Sequence, residues 1–490
     1  MSRIERPETE PSRHAAAEGR RTSWPLEPER REMERILDAV RERVVQAIES
    51  LDAIPAFDLD GAEAAAAEAR QDHPGPPRTL EEVLDLLFDR LAPKSFNNPG
   101  PRFMAFVPGG GLFHSAVADL IAGTLNRYVT VWAAAPGLAQ LESNVVRWFQ
   151  GMVGYPESAG GFLSSGGSIA NFSAVVTARS ERLGDEIARG TVYVSDQTHH
   201  SVAKAARLAG IREEHVRAIG VDSGLRIRVD ELEARIEEDR ARGLAPFLLV
   251  GNGGTTNTGA VDPLQELAAV ATRHGSWLHV DAAYGGFFAL TARGRERLRG
   301  LELADSITLD PHKGLFLPYG TGCLLAKDAG ALHRAHSLDA DYMPELQTEG
   351  DRVDFCAISP ELSRSFRGLR IWLPVQLLGI EPFRQALDEK LDLADWAAAE
   401  LSRIEALEIV AQPQLSTLAF RLRGGDPDGA RQDARNRRLL ELIHRERKVL
   451  LTPTRIGGRF VIRICILNFR THREHVEDCV EAIRRAVADL

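Results

Sequence analysis

Lysine is scarce in this 490-residue chain: only six of its sixty basic residues are lysine, and the rest are arginine. A chain that uses arginine almost everywhere keeps a lysine where arginine cannot replace it, for example where an amine must lose its proton and attack a carbonyl. Lys313 stands out among the six because it lies in a mainly apolar segment, residues 310–317. Lys313 is therefore the first candidate for a reactive amine.

Long apolar runs and clustered basic charge are also missing. No run approaches the ~20 residues that a membrane span needs, and a net charge of −10 argues against a general nucleic-acid binder. The four cysteines are dispersed and form no CxxC pair, which is typical of a reduced cytosolic protein. The first residues are charged and lack the apolar stretch of a secretory signal. We expect a cytoplasmic protein that binds neither membranes nor nucleic acids.

The length and the hydrophobic content of 44% predict two or three folded domains. Residues 1–27 are rich in Pro, Glu and Arg and predict a disordered tail. Residues 28–111 predict an N-terminal helical segment whose first helix carries an apolar face, suited to packing on another domain or a second subunit. Residues 112–370 predict a large α/β domain, and residues 371–490 predict a small C-terminal α+β domain.

Apolar runs alternate with amphipathic helices through the large domain. This alternation predicts a mainly parallel sheet covered by helices on both faces. Its chemistry should lie in the loops at the carboxyl ends of the strands. The predicted strands of the large domain are 191–195, 246–250, 277–280, 305–309 and 321–326. The small domain is predicted to contain strands 417–423, 449–452 and 460–467 and helices 439–447 and 473–490.

A glycine-rich turn, residues 164–171, opens a predicted helix. Such a turn exposes backbone N–H groups at the positive end of the helix dipole, where an anion can bind, and the Ser168 hydroxyl can donate as well. No Lys-Ser/Thr follows and no GxGxxG is present, so the turn is neither a P-loop nor a dinucleotide fingerprint. By itself it is weak evidence, because many such turns are only tight turns.

Asp281 ends the apolar run 277–280. A buried carboxylate needs a partner, and a pyridinium nitrogen is one, although Asp281 could also cap the next turn. His279 lies on the same strand face and either supports Asp281 or is a satisfied core histidine.

Two more strand-to-helix junctions are polar. Residues 195–202 contain His199 and His200, one of which could stack on a cofactor ring, although the segment could simply cap a helix. Residues 251–259 form a small polar loop that either admits a ligand or is an ordinary turn. The joint order of these junctions, followed by Lys313, is far more specific than any one of them.

This order of motifs resembles the pyridoxal-phosphate-dependent group II decarboxylases, the family of aromatic-amino-acid, histidine and glutamate decarboxylases. The resemblance runs from about residue 28 to the C-terminus. It implies an α/β fold of the aspartate-aminotransferase-like type (fold type I), with a large, mainly parallel seven-stranded sheet. It also implies pyridoxal 5'-phosphate (PLP) as cofactor and a homodimer with its site at the subunit interface. The resemblance is strongest at residues 166–168, 195–199, 254–256, 279–284 and 311–313.

By that resemblance, Lys313 forms the Schiff base with PLP, Asp281 pairs with the pyridine nitrogen and His199 stacks on the ring. The residues alone could not have chosen His199 over His200. The remaining cofactor contacts implied by the family are Gly167, Ser168, Thr255, Ala283, Asp310 and His312.

The implied reaction is decarboxylation of an L-amino acid to the amine and CO2. Tyr342, in a predicted loop, matches the family's proton donor, although it could be a surface tyrosine without a role. The presence of both Tyr342 and His199 favours simple decarboxylation, because the aldehyde-forming relatives alter these positions.

Departures from the family pattern concern the substrate. Gly109 and Thr130 replace a threonine and a phenylalanine, Gly314 replaces an aromatic residue, and a tryptophan of the aromatic enzymes is missing. These changes predict a wider or more polar pocket. Arg367 also matches the family. It could form a structural ion pair or have a catalytic role, and the sequence leaves both open. The predicted substrate contacts are Phe103, Phe106, Gly109, Thr130 and Arg367.

Three other interpretations are open. The first is another reaction on PLP: transamination, aldolytic cleavage or aldehyde synthesis. The second is a metal hydrolase using His279, Asp281 and His312, but no HExxH or CxxC supports it, and we predict no metal site. The third is a binding protein on a decayed enzyme fold, which the intact candidate residues argue against. The residues do not identify the amino acid or the pathway.

Overall fold

The computed structural model describes residues 26–338, 352–424 and 429–490. Tyr342 and most of the predicted tail lie outside these ranges. By their contacts, the described residues up to Ser50 form one compact unit with Gly61–Lys94, and Leu51–Asp60 joins the chain from Ser95 onward in a second, larger unit. The domain boundaries inferred from the sequence stay a prediction.

The smaller unit is helical. Helix α3 begins with a capping box, in which the Thr79 hydroxyl accepts from the backbone of Glu82 and the Glu82 carboxylate accepts from the backbone of Thr79. No residue of α1 is buried, so its predicted apolar face remains accessible. The helices are α1 (Arg30–Glu49), α2 (Ala62–Ala69) and α3 (Leu80–Asp85), followed by a π-helical turn, Leu86–Leu91.

The larger unit contains the predicted sheet, with seven strands among the described residues in the order β1-β7-β6-β5-β4-β2-β3. Strand β7 runs antiparallel to both its neighbours, and the other six strands share one direction. The mainly parallel seven-stranded fold is therefore confirmed. The strands are β1 (Gly160–Ser164), β2 (Gly190–Ser195), β3 (Val216–Ile219), β4 (Ala245–Asn252), β5 (Trp277–Asp281), β6 (Ser306–Leu309) and β7 (Gly322–Ala326).

Helices cover this sheet, which explains why its central strands are buried along their whole length, including their polar residues. Every residue of β5 and β6 is buried. None of the described helices is long and apolar enough to cross a membrane. The helices are α4 (Phe113–Leu125), α5 (Pro136–Val153), α6 (Gly167–Leu183), α7 (His200–Leu208), α8 (Val229–Ala241), α9 (Leu264–His274), α10 (Ala292–Arg297), α11 (Pro311–Gly314), α12 (Ala329–His336), α13 (Phe355–Ile358) and α14 (Gly368–Leu378).

A second, antiparallel sheet of four strands follows, in the order β10-β11-β9-β8. Its strands are β8 (Leu407–Ala411), β9 (Thr417–Leu422), β10 (Thr452–Ile456) and β11 (Arg459–Cys465), and its helices are α15 (Glu381–Ser402), α16 (Gly429–His444) and α17 (Arg473–Ala488).

Two details of the strand prediction were wrong. The strand expected at 449–452 begins only at Thr452, because Leu450 pairs instead with Phe103 through an isolated bridge. No strand was expected before residue 191, but residues 160–164 form β1, whose pairing with β7 the local sequence does not reveal.

Candidate active site

The carboxyl ends of β1, β2, β4, β5 and β6 surround one cavity of about 350 Å³. Each of these strands is followed by one of the polar junctions found in the sequence. The predicted site residues that line the cavity are Gly167, Ser168, His199, Asp281, Ala283, Asp310, His312 and Lys313.

Lys313 lies in α11, just after β6, and its Nζ is 2.9 Å from Asp310 Oδ2. Burial favours a lower pKa for Lys313, but the charge and hydrogen bond of Asp310, helped by the charge of Asp281, outweigh it and raise the pKa. The amine is therefore held protonated at neutral pH. The sequence had suggested a lysine whose amine loses its proton in order to attack a carbonyl.

Asp310 is 2% exposed, and its Oδ1 atom has no hydrogen-bond partner within the described parts of the chain. The start of α6 approaches it closely. A Cβ added to Gly167 would lie 3.0 Å from Asp310 Oδ2 and 3.2 Å from the Cβ of Ala283. Glycine therefore brings the first turn of the helix, whose N–H groups lack intrahelical acceptors, against the cavity.

Asp281 ends β5 and also lines the cavity. Its Oδ1 accepts from the Ala283 backbone N–H at 3.1 Å, and its Oδ2 accepts from Asn171 Nδ2 at 2.8 Å. Asn171 Oδ1 in turn lies 3.1 Å from His279 Nε2. Burial lowers the pKa of His279 to about 4, against the opposing charge of Asp281, so this histidine is neutral. His279 thus supports Asp281 through Asn171.

His199 is the N-cap of α7, and its Nδ1 lies 2.8 Å from the Ser201 hydroxyl. Burial lowers the pKa of His199, although the charge of Asp281 opposes the shift. The ring lines the cavity, whereas the neighbouring His200 ring, 4.2 Å away between centroids, does not. The structure thus separates two histidines that the sequence could not.

His312 completes the lysine side of the cavity. Its Nδ1 donates to the Thr321 carbonyl at 2.6 Å, and its Nε2 lies 3.6 Å from Asp310 Oδ2. Burial lowers its pKa, the charge of Asp310 opposing this shift. The exposed ring of Tyr319 meets His312 edge-on at 5.6 Å between centroids and lines the cavity beside Gly320.

Thr255 does not line the cavity. Its hydroxyl lies 2.7 Å from the Thr258 hydroxyl and its backbone N–H donates to Ala260, so it holds the turn together. Its neighbours Gly254 and Thr256 line the cavity instead.

None of the five predicted substrate contacts lines this cavity. Thr130 is buried, and its hydroxyl has no hydrogen-bond partner among the described residues. Arg367 is buried in an ion pair with Glu361, at 2.6 and 2.9 Å, and also donates to the Leu163 carbonyl. These contacts are those of a structural ion pair, one of the two roles that the sequence left open for Arg367.

Phe103 and Phe106 stack at 6.2 Å between centroids, the first fully buried and the second 52% exposed, with a left-handed φ of 51°. Buried Arg463, on β11, donates to the carbonyls of Phe106 and Thr256, each at 2.8 Å. Phe106 is therefore tied to the loop that bounds the cavity.

The structure adds lining residues to which the sequence assigned no role, chiefly Asn171, Ser201, Asn252 and Thr256. A signal for Asn171 was present, since it follows Ser168 by three positions in a helix and so shares its face.

Comparison with known proteins decides the family. Residues 66–423 match the family model described as the pyridoxal-dependent decarboxylase conserved domain. The chain belongs to this family. The decarboxylase is 37% identical over 393 residues, 80% of its own length and 82% of the relative's, to an aromatic-L-amino-acid decarboxylase of Bacillus atrophaeus.

Two further relatives extend the comparison. A phenylacetaldehyde synthase of Arabidopsis thaliana is 28% identical over 430 residues, covering 85% of this chain and 88% of the relative. A TDC of Oryza sativa solved with PLP and tryptamine superposes with a TM-score of 0.90 at 26% identity, covering 96% of this chain and 99% of that one. The predictions of fold type I, of PLP as cofactor and of a PLP-dependent amino-acid carboxy-lyase are confirmed.

The residues of the cavity fit PLP. They provide a primary amine, the buried carboxylate of Asp281 and a helix N-terminus suited to a phosphate. Beside Gly167, Asp310 Oδ1 has no hydrogen-bond partner among the described residues, so this buried acceptor is available to a ligand. A volume of about 350 Å³ lies in the range of small-molecule sites.

Proposed function

We propose that the decarboxylase acts on an aromatic L-amino acid, releasing CO2 and the aromatic amine, with PLP carried on Lys313. The observation that carries the proposal is the convergence of Lys313, Asp281 and the N-terminus of α6 on one cavity. The aromatic class rests on the names of the Bacillus atrophaeus and Sus scrofa relatives, both aromatic-L-amino-acid decarboxylases.

In this proposal PLP, when bound, supplies the electron sink for loss of CO2. Lys313 would hold the cofactor covalently through its amine. Asp281, aligned by Asn171, would keep the pyridine nitrogen protonated. His199 would stack on the ring, and Ala283 would pack against it.

The phosphate is assigned to the first turn of α6, where the backbone of Gly167 and Ser168 and the Ser168 hydroxyl can donate. His312 is also assigned to the phosphate. Its Nδ1–H is given to the Thr321 carbonyl, so its Nε2, 3.6 Å from Asp310 Oδ2, donates only when the ring is protonated, a form that the charge of Asp310 favours. Asp310 and Thr255 complete the surroundings. Asp310 acts chiefly on Lys313, whereas Thr255 shapes the turn.

The proton that completes the amine is assigned to Tyr342, which lies outside the described residues. Together with His199, it favours amine formation over oxidative formation of an aldehyde. The similarity to the Arabidopsis thaliana phenylacetaldehyde synthase makes aldehyde synthesis the second candidate.

Phe106, which is half exposed and tied to the Thr256 loop through Arg463, is proposed to contact the aromatic ring of the substrate, with fully buried Phe103 stacked behind it. The pocket width attributed to Gly109 and Gly314 has another explanation in packing. A Cβ on Gly109 would lie 1.9 Å from the His312 carbonyl oxygen, and one on Gly314 would lie 2.6 Å from the Cβ of Phe287.

Thr130 and Arg367 are assigned positions behind the cavity, consistent with their burial away from its lining. We also propose a cytoplasmic homodimer. The four cysteines are unpaired, as in a reducing compartment, and α1 leaves Met33, Leu37 and Val45 exposed on one helix. Light scattering of the purified protein at twice the chain mass would support the dimer, and a monomer would contradict it.

The function is tested by mixing the PLP-loaded enzyme with each common L-amino acid, plus dihydroxyphenylalanine and 5-hydroxytryptophan, and measuring CO2, amine and aldehyde. Amine and CO2 from aromatic substrates, absent with Lys313→Ala, are expected. Turnover of acidic or aliphatic substrates alone would reject the aromatic class, and aldehyde as the main product would favour the second candidate.

A further inference from the structure

Asn171 stands between the two groups that are proposed to face the cofactor ring. Its Nδ2 donates to Asp281 Oδ2 at 2.8 Å and to Ser201 Oγ at 3.0 Å, and the Ser201 hydroxyl lies 2.8 Å from His199 Nδ1. We infer that Asn171 is a positioning residue that holds the Asp281 carboxylate in place and fixes the tautomer of His199. This inference rests on the proposed roles of Asp281 and His199.

The orientation of the Asn171 amide follows from its neighbours. A carboxylate only accepts, so the nitrogen of the amide must face Asp281 and the oxygen must face His279. His279 therefore donates from Nε2 to Asn171 Oδ1, at 3.1 Å. Since buried His279 is neutral, its Nδ1 carries no proton and has to accept.

The hydrogen bonds that lead from Trp277 through Ser306 to His279 require that His279 Nδ1 accepts, as the orientation of Asn171 does. The Trp277 indole N–H, which only donates, gives its hydrogen to Ser306 Oγ at 2.8 Å. The Ser306 hydroxyl then donates its own hydrogen to His279 Nδ1 at 2.9 Å. The whole chain of hydrogen bonds begins at a group that only donates and ends at Asp281, which only accepts, so every intervening proton has one position.

Asn171 starts two branches of hydrogen bonds, one to Asp281 and one through Ser201 to His199. The second branch fixes the tautomer of His199. Ser201 Oγ accepts from Asn171, which leaves the Ser201 hydroxyl hydrogen for His199 Nδ1. The Ser201 backbone N–H points at the same nitrogen, at 3.3 Å. His199 Nδ1 therefore accepts twice, and the proton of the neutral ring sits on Nε2, on the side away from Ser201.

The position of Asn171 in α6 couples this network to the phosphate end of the site. Asn171 follows Gly167 and Ser168 by four and three residues, so the three lie on one face of the helix within about one turn, ~5.4 Å. The helix that presents N–H groups to the phosphate thus also clamps Asp281 at a set distance. A change at Asn171 should therefore loosen the cofactor without touching it directly.

The test uses cofactor affinity, measured by absorbance titration of PLP into apoenzyme, together with kcat. Asn171→Leu removes both branches and is expected to weaken PLP binding about 10- to 100-fold, the range typical of residues that orient a ligand-binding group. Ser201→Ala cuts only the His199 branch, so kcat should fall while the PLP dissociation constant stays unchanged. Asn171→Thr, whose hydroxyl can still accept from His279 and donate once, should bind PLP more tightly than Asn171→Leu.

Asn436→Leu is the matched control. Asn436 is also a buried helical asparagine with both amide atoms bonded, to Leu422 and Gln432, but it lies in the small sheet region. Its substitution should lower the melting temperature of the apoenzyme without changing PLP affinity. If Asn171→Leu does not fold, the comparison of Asn171→Thr with Ser201→Ala decides in its place.

Wild-type PLP affinity in Asn171→Leu, or equal losses of affinity in Asn171→Leu and Ser201→Ala, would overturn the inference. Asp281→Asn separates this outcome from failure of the proposed function. If Asp281→Asn weakens PLP binding and Asn171→Leu does not, only the role of Asn171 is wrong. If neither weakens it, the proposed role of Asp281 is wrong as well.

Discussion

Lys313 and Lys390 are two of the six lysines in this chain, and they differ in what surrounds the amine. Lys313 borders the cavity with its Nζ on Asp310, which keeps its pKa above the ordinary value. Lys390, on α15, is fully buried between Glu389 and the Thr471 carbonyl, and burial lowers its pKa. By pKa alone, Lys390 would be the better nucleophile.

A lowered pKa therefore does not identify the reactive lysine. Lys390 is 0% exposed, and its amine is taken up by the Glu389 carboxylate and the Thr471 carbonyl. Lys313 borders a cavity that is also lined by Asp310, whose carboxylate can take its proton, and by the first turn of α6. Access and neighbouring groups decide reactivity, and burial only tunes it.

The largest expected effect comes from removing the Lys313 amine. Lys313→Ala should abolish amine release and the covalent label left by borohydride reduction of the PLP-loaded enzyme, because Lys313 is the only lysine among the described residues that line the cavity. Lys390→Met should keep both. Peptide mapping of the reduced enzyme checks the site, and a label on Lys390 would contradict the comparison.

Asp310→Asn should change how Lys313 responds to pH. Without the carboxylate, burial is the main influence left on the amine, so its pKa should fall and free amine should appear at lower pH. Each unit of pKa change alters the fraction of free amine at neutral pH about tenfold. The rate of PLP capture between pH 6 and 10 measures this shift.

Glu389→Gln is the control for Asp310→Asn, since it removes the carboxylate next to Lys390 and not the one next to Lys313. It should leave the pH profile of PLP capture unchanged. An identical profile in Asp310→Asn and the wild type would remove Asp310 as the partner that sets the protonation of Lys313.

The stability of the region around the Lys313 cavity should also be more sensitive to acid than that of the region around Lys390, because it contains His279. Its pKa in the folded protein, about 4, is below the ordinary 6.5, so the unfolded chain binds a proton first as pH falls. Stability should therefore drop between pH 6.5 and 4, by about 3 kcal/mol at most from this group. Asp262, whose pKa burial raises to about 6, acts in the opposite direction over pH 6 to 3.8.

Urea unfolding of wild type and His279→Gln at pH 7 and pH 4.5 separates the two effects, because Asp262 contributes equally to both proteins. The glutamine side chain can still donate to Asn171 but does not titrate. The wild type should lose more stability than the variant on acidification. Equal losses would mean that His279 is not held neutral.

The smallest effect is expected from Lys390→Met on folding. Methionine fills much of the space, but the Thr471 carbonyl loses its donor, which typically costs about 1–3 kcal/mol. Urea unfolding of the apoenzyme measures this cost, with Lys313→Ala as the comparison. A loss of kcat in Lys390→Met without a loss of stability would give Lys390 a function that its surroundings do not suggest.

Local pattern predicted five of the seven strands of the large sheet, because these strands are mainly apolar and alternate with helices. It missed β1, β3 and β8, which are short edge strands, and it misplaced β10. Leu450, which the pattern assigned to a strand of the small sheet, pairs with Phe103, about 350 residues away in the chain. Strand pairing over such distances leaves no local periodicity to detect.

The active site also contains residues that the sequence could predict and residues that it could not. Lys313, Asp281 and the glycine turn could be found because each follows a strand of a parallel sheet, and the carboxyl ends of such strands meet at one edge. Arg463 could not be found, since it reaches Phe106 and Thr256 from another sheet, and no spacing along the chain records that contact. The substrate contacts predicted from the resemblance stay predictions.

The residue types and their order along the chain set the chemistry that is available: one lysine in an apolar setting, one aspartate at a strand end and a glycine turn before a helix. The folded arrangement selects which histidine faces the cavity and completes the surroundings that set protonation, because protonation depends on charges and hydrogen bonds within a few ångströms. Asp310 reaches Lys313 locally, across the first turn of α11, whereas Asn171 reaches Asp281 only because α6 packs against β5.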